Sequence, residues 1–185
     1  AEAESRYRRA LQEDREHPDA LELHSEVLVY MQRADDALAQ MRDAVARVRS
    51  DPAAYYRLGR IAQTAGRPKQ EWMSAFEQAR VLLEGQLRVK PDSALALSLL
   101  ALTQTRLGAF RDAMAAQARA LELAPRDVGI LYNAARMYAL QRDKEQAMTY
   151  LVRAIDLRYD LRRIVDMDLF NLRSDEEFLR SVTRQ

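Results

Sequence analysis

Residues 94–127 read ALALSLLALTQTRLGAFRDAMAAQARALELAPRD, and residues 128–160 read VGILYNAARMYALQRDKEQAMTYLVRAIDLRYD. The second stretch repeats the pattern of the first at an offset of 34 residues. Small residues recur where the two helices of a hairpin must approach closely, and larger residues recur where they would fill the gap between neighbouring hairpins. The repetition therefore predicts stacked helical hairpins. The matching pairs are Leu97 with Leu131, Ala101 with Ala135, Ala113 with Ala147, and Ala120 with Ala154.

The same frame continues upstream of residue 94. Pro18 and Pro52 are separated by 34 residues, and each opens a further unit of the pattern. The unit that begins at Pro52 aligns only when extra residues are allowed in its second half, which predicts a longer second helix over residues 69–89. Side chains that cap helix N-termini stand just before three of the expected helix starts. These predicted caps are Ser50-Asp51, Asp92-Ser93 and Asp127.

This spacing resembles the tetratricopeptide repeat, a helix-turn-helix unit of about 34 residues with small residues at its eighth, twentieth and twenty-seventh positions and Pro near its thirty-second. In the stretch from residue 94, these positions are filled by Ala101, Ala113, Ala120 and Pro125. The resemblance implies an all-α fold, a right-handed α-α superhelix (solenoid) of such repeats. It places full repeats at 18–51, 52–91, 94–127 and 128–159, the second helix of a partial repeat at 1–16, and a C-terminal capping segment at 160–185. That last segment is similar to the array ends of bacterial members of the family.

Composition agrees with an all-α protein and excludes several functions. Only five Gly and five Pro occur in 185 residues, and 48% of the residues are apolar, which is enough for a core. The 29 Lys and Arg nearly balance the 28 Asp and Glu, so no global field would attract nucleic acid or an anionic membrane. The absence of Cys excludes disulfides and thiolate chemistry. The longest apolar stretch, residues 95–102, is far shorter than the roughly 20 residues of a membrane-spanning helix.

The family resemblance implies that the first helix of each repeat lines a concave groove. Spacings of three and four residues independently place the mapped side chains on one face of each helix. Arg, Tyr and Asn on such a face would form a mildly basic, hydrogen-bonding surface suited to an extended peptide, including one with acidic side chains. The candidate groove residues are Tyr56, Arg57, Arg60, Thr64, Ser98, Thr105, Arg106, Tyr132, Asn133 and Arg136.

Some members of the family clamp the C-terminal carboxylate of a chaperone with Lys and Asn. Asn133 and Arg136 resemble part of that arrangement. The first clamp helix would instead offer Glu22 and Glu26, which would repel a carboxylate. The sequence therefore does not predict that specificity.

No pattern of catalytic or metal-binding residues is found. His17 and His24 are separated by Pro18 and lack the spacing of a metal-binding motif. The arginines alternate with acidic residues and lack the dense runs and aromatic platforms of nucleic-acid-binding proteins. We therefore expect no enzyme activity, no cofactor, no metal and no nucleic-acid partner.

The leading hypothesis is a non-catalytic protein-interaction module that binds a partner peptide in the groove. One alternative is a regulatory or assembly domain of a larger bacterial signalling or secretion protein, since the chain opens in the middle of a repeat. Another is a scaffold that self-associates through an exposed first helix with Tyr7, Ala10 and Leu11. The high ratio of Arg to Lys suggests a bacterial source, and both cytoplasm and periplasm stay open.

Overall fold

The structure is a computed structural model, and it describes residues 18–157 and 167–172. Within these ranges the chain forms eight α-helices followed by one short 3-10 helix, and these ranges contain no β-strand. The all-α fold class predicted from the sequence is thus confirmed. The helices are α1 (Pro18–Tyr30), α2 (Ala34–Arg47), α3 (Pro52–Thr64), α4 (Lys69–Val89), α5 (Ala94–Leu107), α6 (Phe110–Leu123), α7 (Val128–Leu140) and α8 (Lys144–Asp156), and the 3-10 helix is Met167–Leu172.

Local sequence signals fix several helix starts. The carboxylate of Asp51 accepts a hydrogen bond from the backbone N–H of Ala53, and the hydroxyl of Ser93 caps α5 in the same way. Asp127 caps α7 through the N–H of Ile130 at 3.0 Å. All three predicted N-caps are therefore confirmed. Helix α4 covers the range predicted for the longer second helix.

The chain divides into two compact units, Ala1–Leu82 and Leu83–Gln185, and the boundary falls within α4. In unit 1, α2 packs against both α1 and α3. The core of this unit combines aliphatic side chains with a small residue at a repeat position. Its buried members are Leu21, Leu28, Ala37, Leu38, Met41, Ile61 and Ala62.

Unit 2 contains the two hairpins α5–α6 and α7–α8, and α5 also packs on α7. Ala101, Ala113 and Ala120 are completely buried, as are Ala135 and Ala147. A methyl side chain allows the helix axes to approach, so the repeated small residues have the packing role that the sequence predicts.

The 3-10 helix packs against α7. Leu169 and Leu172, which the sequence assigns to the C-terminal cap, lie fully buried beside Leu131 and Leu151. Most of the capping segment predicted at 160–185 lies outside the described residues, as do residues 1–16 and their proposed self-association surface.

A close approach of α3 and α4 in unit 1 explains one glycine. A Cβ atom at Gly59 would lie only 2.8 Å from Cε1 and 2.9 Å from Cδ1 of Phe76. The Phe76 ring is fully buried and packs against both Tyr56 and Trp72, with ring centroids 5.6 and 6.2 Å away. It therefore has little room to move.

Gly59→Val is expected to lower the free energy of unfolding by about 1–3 kcal/mol, because the added atoms would overlap the Phe76 ring. Urea denaturation measures the change. Gly85→Val in α4 is the matched control, since an added Cβ there meets nothing within 4 Å. Equal stability changes in the two variants would contradict this packing account.

Candidate functional site

The candidate groove residues lie on both units, and each unit is described by itself. Unit 1 carries one set on α3, and unit 2 carries the others on α5 and α7. Sequence reasoning treated the arginines in both sets as cations available to a partner. The structure instead places carboxylates of the same chain beside them.

Arg60 is the most buried of these arginines, with a side chain only 2% exposed. Its Nη2 lies 2.6 Å from Oε1 of Glu22 and 2.5 Å from Oε1 of Glu26, both on α1. The two glutamates are one helical turn apart and so present their carboxylates to the same guanidinium. From the sequence, Glu22 and Glu26 are expected to repel the carboxylate of a ligand. In the structure they instead hold the buried Arg60 of unit 1.

Arg57 lies one turn before Arg60 and is more accessible. Its Nε is 3.5 Å from Glu22, and its Nη1 is 3.9 Å from Asp51. These distances are longer than a charge-assisted hydrogen bond of about 2.8 Å, so Arg57 keeps donor capacity for another carboxylate. Tyr56 is buried against Phe76, whereas Thr64 is partly exposed.

In unit 2, two arginines from neighbouring repeats share one carboxylate. Arg106 on α5 donates from Nη2 to Oδ1 of Asp168, and Arg136 on α7 donates from Nε to Oδ2 at 3.0 Å. The Nη2 of Arg136 lies 2.8 Å from the same oxygen. The Asp168 side chain is 3% exposed. The 3-10 helix therefore supplies the counter-charge for both arginines.

A second set of side chains forms a hydrogen-bonded chain across three helices of unit 2. Gln117 on α6 donates from Nε2 to the backbone carbonyl of Ile130 at 3.1 Å and accepts from the hydroxyl of Ser98 at 3.2 Å. Asn133 donates from Nδ2 to Ser98 at 3.2 Å and accepts from Nη1 of Arg136 at 3.5 Å. Ser98 and Gln117 are buried, but Asn133 is partly exposed.

The two other candidates in unit 2 have mainly internal contacts. The Thr105 hydroxyl donates to the backbone carbonyl of Ala101, one turn earlier in α5. Tyr132 is buried, and its ring centroid lies 5.9 Å from Cζ of Arg136. The expectation of an open basic surface needs correction here: Arg60, Arg106 and Arg136 already face carboxylates, because a buried guanidinium requires a counter-charge.

Sequence reasoning missed three residues of this region. Asp168 lies in a tail without repeat periodicity, and only its tertiary contacts connect it to the arginines. Gln117 lies on the second helix of its repeat, whereas the groove residues were expected on first helices. Leu95 occupies the second position of its repeat and is 65% exposed; that position alone would have identified it.

The described residues also bear on metal binding and on membrane insertion. In residues 18–157 and 167–172 no group of three or more His, Asp or Glu is arranged to hold a metal ion. His24 is nearly buried, and its Nδ1 lies 2.9 Å from Oε1 of Gln40. None of the helices in the described part of the chain has both the length and the apolar content that a membrane crossing requires.

Tyr138 and Tyr150 stack in unit 2, with ring centroids 5.5 Å apart. Burial raises the pKa of Tyr138, and the nearby Tyr150 and Asp143 act in the same direction. Arg153 lies over the Tyr150 ring, with Cζ 5.2 Å from its centroid. This cluster braces the α7–α8 hairpin and stands apart from Asn133 in sequence position and in its contacts.

Comparison with known proteins identifies the repeat. Residues 128–161 match the family model described as "Tetratricopeptide repeat". The resemblance drawn from the sequence is therefore confirmed, and residues 128–161 form a tetratricopeptide repeat. No curated protein matches the chain in sequence.

Several solved structures are similar to this chain. A thermophilic tetratricopeptide-repeat protein from Thermus thermophilus is 23% identical, with 88% of this chain and 85% of that chain covered and a TM-score of 0.52. MamA from Desulfovibrio magneticus is 17% identical over 84% of each chain, with a TM-score of 0.41. YrrB, described as having an unusual peptide-binding site, is 20% identical, with 83% of this chain and 93% of its own covered and a TM-score of 0.39. At these identities the likeness concerns the fold alone. Proteins with this fold generally act as non-catalytic protein-interaction modules.

Proposed function

We propose that this chain is a non-catalytic interaction module that binds an extended segment of a partner protein on the first helices of its repeats. The observation that carries the proposal is the Asn133 amide, which is partly exposed while Ser98 and Arg136 hold it from two sides. A side-chain amide has two N–H donors and two acceptor lone pairs. One donor and one acceptor of Asn133 therefore remain for the backbone of a bound peptide.

The surroundings of Asn133 support this proposal. Leu95 is exposed and Leu99, one turn later on α5, is partly buried, so aliphatic surface lies on the helix that also carries Ser98. Peptide sites commonly combine such apolar surface with a few fixed polar groups. An affinity with a Kd of about 1 μM is expected for a segment that must be ordered on binding.

We also propose that unit 1 carries a separate contact for an acidic side chain of a partner. Arg57 is the candidate, because its contacts to Glu22 and Asp51 are long. An incoming carboxylate could approach its guanidinium more closely and form charge-assisted hydrogen bonds. This assigns the acidic preference expected from the sequence to Arg57 and not to Arg60, Arg106 or Arg136.

Selection from a phage-displayed dodecapeptide library, followed by calorimetric titration of the best peptide, tests the proposal. Asn133→Ala is expected to weaken the binding of a peptide to unit 2 about tenfold, and Arg57→Glu that of a peptide to unit 1, because each removes hydrogen bonds to the peptide. Arg111→Glu on the exposed start of α6 is the control with the same charge reversal. Unchanged affinity in both site variants, or an equal loss in the control, would disprove the proposed contacts.

A further inference from the structure

The hydrogen bonds around Asn133 have a direction that is set deep inside unit 2. Gln117 is only 1% exposed, and both ends of its amide are used. The carbonyl of Ile130 can only accept a hydrogen bond, so the NH2 group of Gln117 must face it. The carbonyl oxygen of Gln117 therefore faces Ser98 and must accept the single hydroxyl hydrogen of that residue.

The orientation passes from Ser98 to Asn133. Since Ser98 gives its hydrogen to Gln117, only its lone pairs are available to Asn133. The Asn133 side chain must accordingly direct its NH2 group at Ser98, as the 3.2 Å contact shows. Its carbonyl oxygen then faces Arg136, whose guanidinium can only donate. The Ile130 carbonyl lies at one end of this chain of hydrogen bonds and the Arg136 guanidinium lies at the other. Both require the same orientation of the Asn133 amide.

We infer that Gln117 is a positioning residue: through Ser98 it fixes the Asn133 amide in the orientation that recognises the backbone of an extended partner segment. This inference rests on the proposed function for its ligand. The fixed amide presents one N–H and one oxygen lone pair, which complement the C=O and N–H of a peptide group. Such recognition depends on the backbone of the partner and tolerates different side chains at that position.

The chain Gln117–Ser98–Asn133 also links three helices, so a purely structural role must be distinguished. Gln117→Met keeps a side chain of similar length and removes both hydrogen bonds. The Ile130 carbonyl keeps the hydrogen bond of its own helix, so the fold is expected to persist. The hydroxyl of Ser98 is then able to donate to Asn133, and only the 3.5 Å contact with Arg136 still favours the original orientation of the amide.

The first measurement is NMR of the Asn133 side-chain amide in the full chain, with Asn133→Asp used for assignment. In the wild type we expect slow solvent exchange and a nuclear Overhauser contact between the Nδ2 protons and the Ser98 β-protons. Both signatures should be lost in Gln117→Met and retained in the control Gln86→Met on the exposed face of α4. The slow solvent exchange should also be lost in Ser98→Ala. Signatures that persist in Gln117→Met would overturn the inference.

The second measurement uses the selected dodecapeptide and ester analogues that each lack one backbone N–H. Gln117→Met should weaken binding about fivefold, as expected for one misoriented hydrogen-bonding group. One of the ester analogues should bind the wild type more weakly than the parent dodecapeptide does. The same analogue and the parent dodecapeptide should bind Asn133→Ala equally well. If Asn133→Ala leaves the affinity unchanged, the proposed function fails. If Asn133→Ala loses binding but Gln117→Met does not, only the positioning role fails.

Discussion

Arg60→Leu is expected to lower the free energy of unfolding by about 3–5 kcal/mol, the usual cost of removing one partner from a buried ion pair. The guanidinium is 2% exposed and contacts Glu22 and Glu26, of which Glu26 is itself buried. A leucine fills part of the volume but leaves these carboxylates without their Arg60 contacts. Chemical denaturation followed by circular dichroism measures the change.

Two further variants separate charge from packing in this cluster. Arg60→Leu combined with Glu22→Gln and Glu26→Gln should recover at least half of the lost stability, because neutral amides cost less to bury than carboxylates. Arg47→Leu, which removes an exposed ion pair with Asp43 on α2, should change stability by less than about 1 kcal/mol. No recovery in the triple variant would show that packing, and not charge, dominates.

Asp168→Asn is expected to cost about 3 kcal/mol, because it removes the carboxylate that Arg106 and Arg136 share. Asparagine keeps the shape of the side chain, and Leu169 and Leu172 keep their buried contacts in the core of unit 2. The loss should therefore arise from the charge. Thermal and urea denaturation of the full chain provide the measurement.

The matched control for Asp168 is Asp156→Asn at the exposed end of α8. That change should alter stability by no more than about 0.5 kcal/mol. The double variant Arg136→Gln with Asp168→Asn should be less destabilised than the sum of the single changes, since directly contacting residues are energetically coupled. Additive effects would contradict the direct interaction between Arg136 and Asp168.

The helical hairpins could be predicted because their signals are local and repeated. Small residues such as Ala101 and Ala135 recur at a fixed spacing, and caps such as Asp51 and Asp127 act within three residues of their own position. In a repeat array each repeat contacts only its neighbours, so one pattern serves every repeat. Even the longer helix α4 follows from where the alignment requires extra residues.

The state of the candidate site residues was less predictable. Periodicity places Arg60, Arg106 and Arg136 on the first helices but does not indicate which acids face them. Glu22 is 38 residues from Arg60, and Asp168 is 62 residues from Arg106. The spacing of residues along a single helix does not reveal which distant carboxylates will face these arginines. The expectation of open basic surface therefore overlooked the carboxylates that the fold brings to each guanidinium.

The sequence by itself determined the repeat, the helix boundaries and the positions where helices approach, because backbone propensity, capping and close packing depend on short and regular spacings. Only the tertiary structure decided that Asp168 neutralises two arginines and that Gln117 orients Asn133 through Ser98. Buried charges and hydrogen-bonding groups must be satisfied wherever the fold places them, and their partners come from distant segments of the chain.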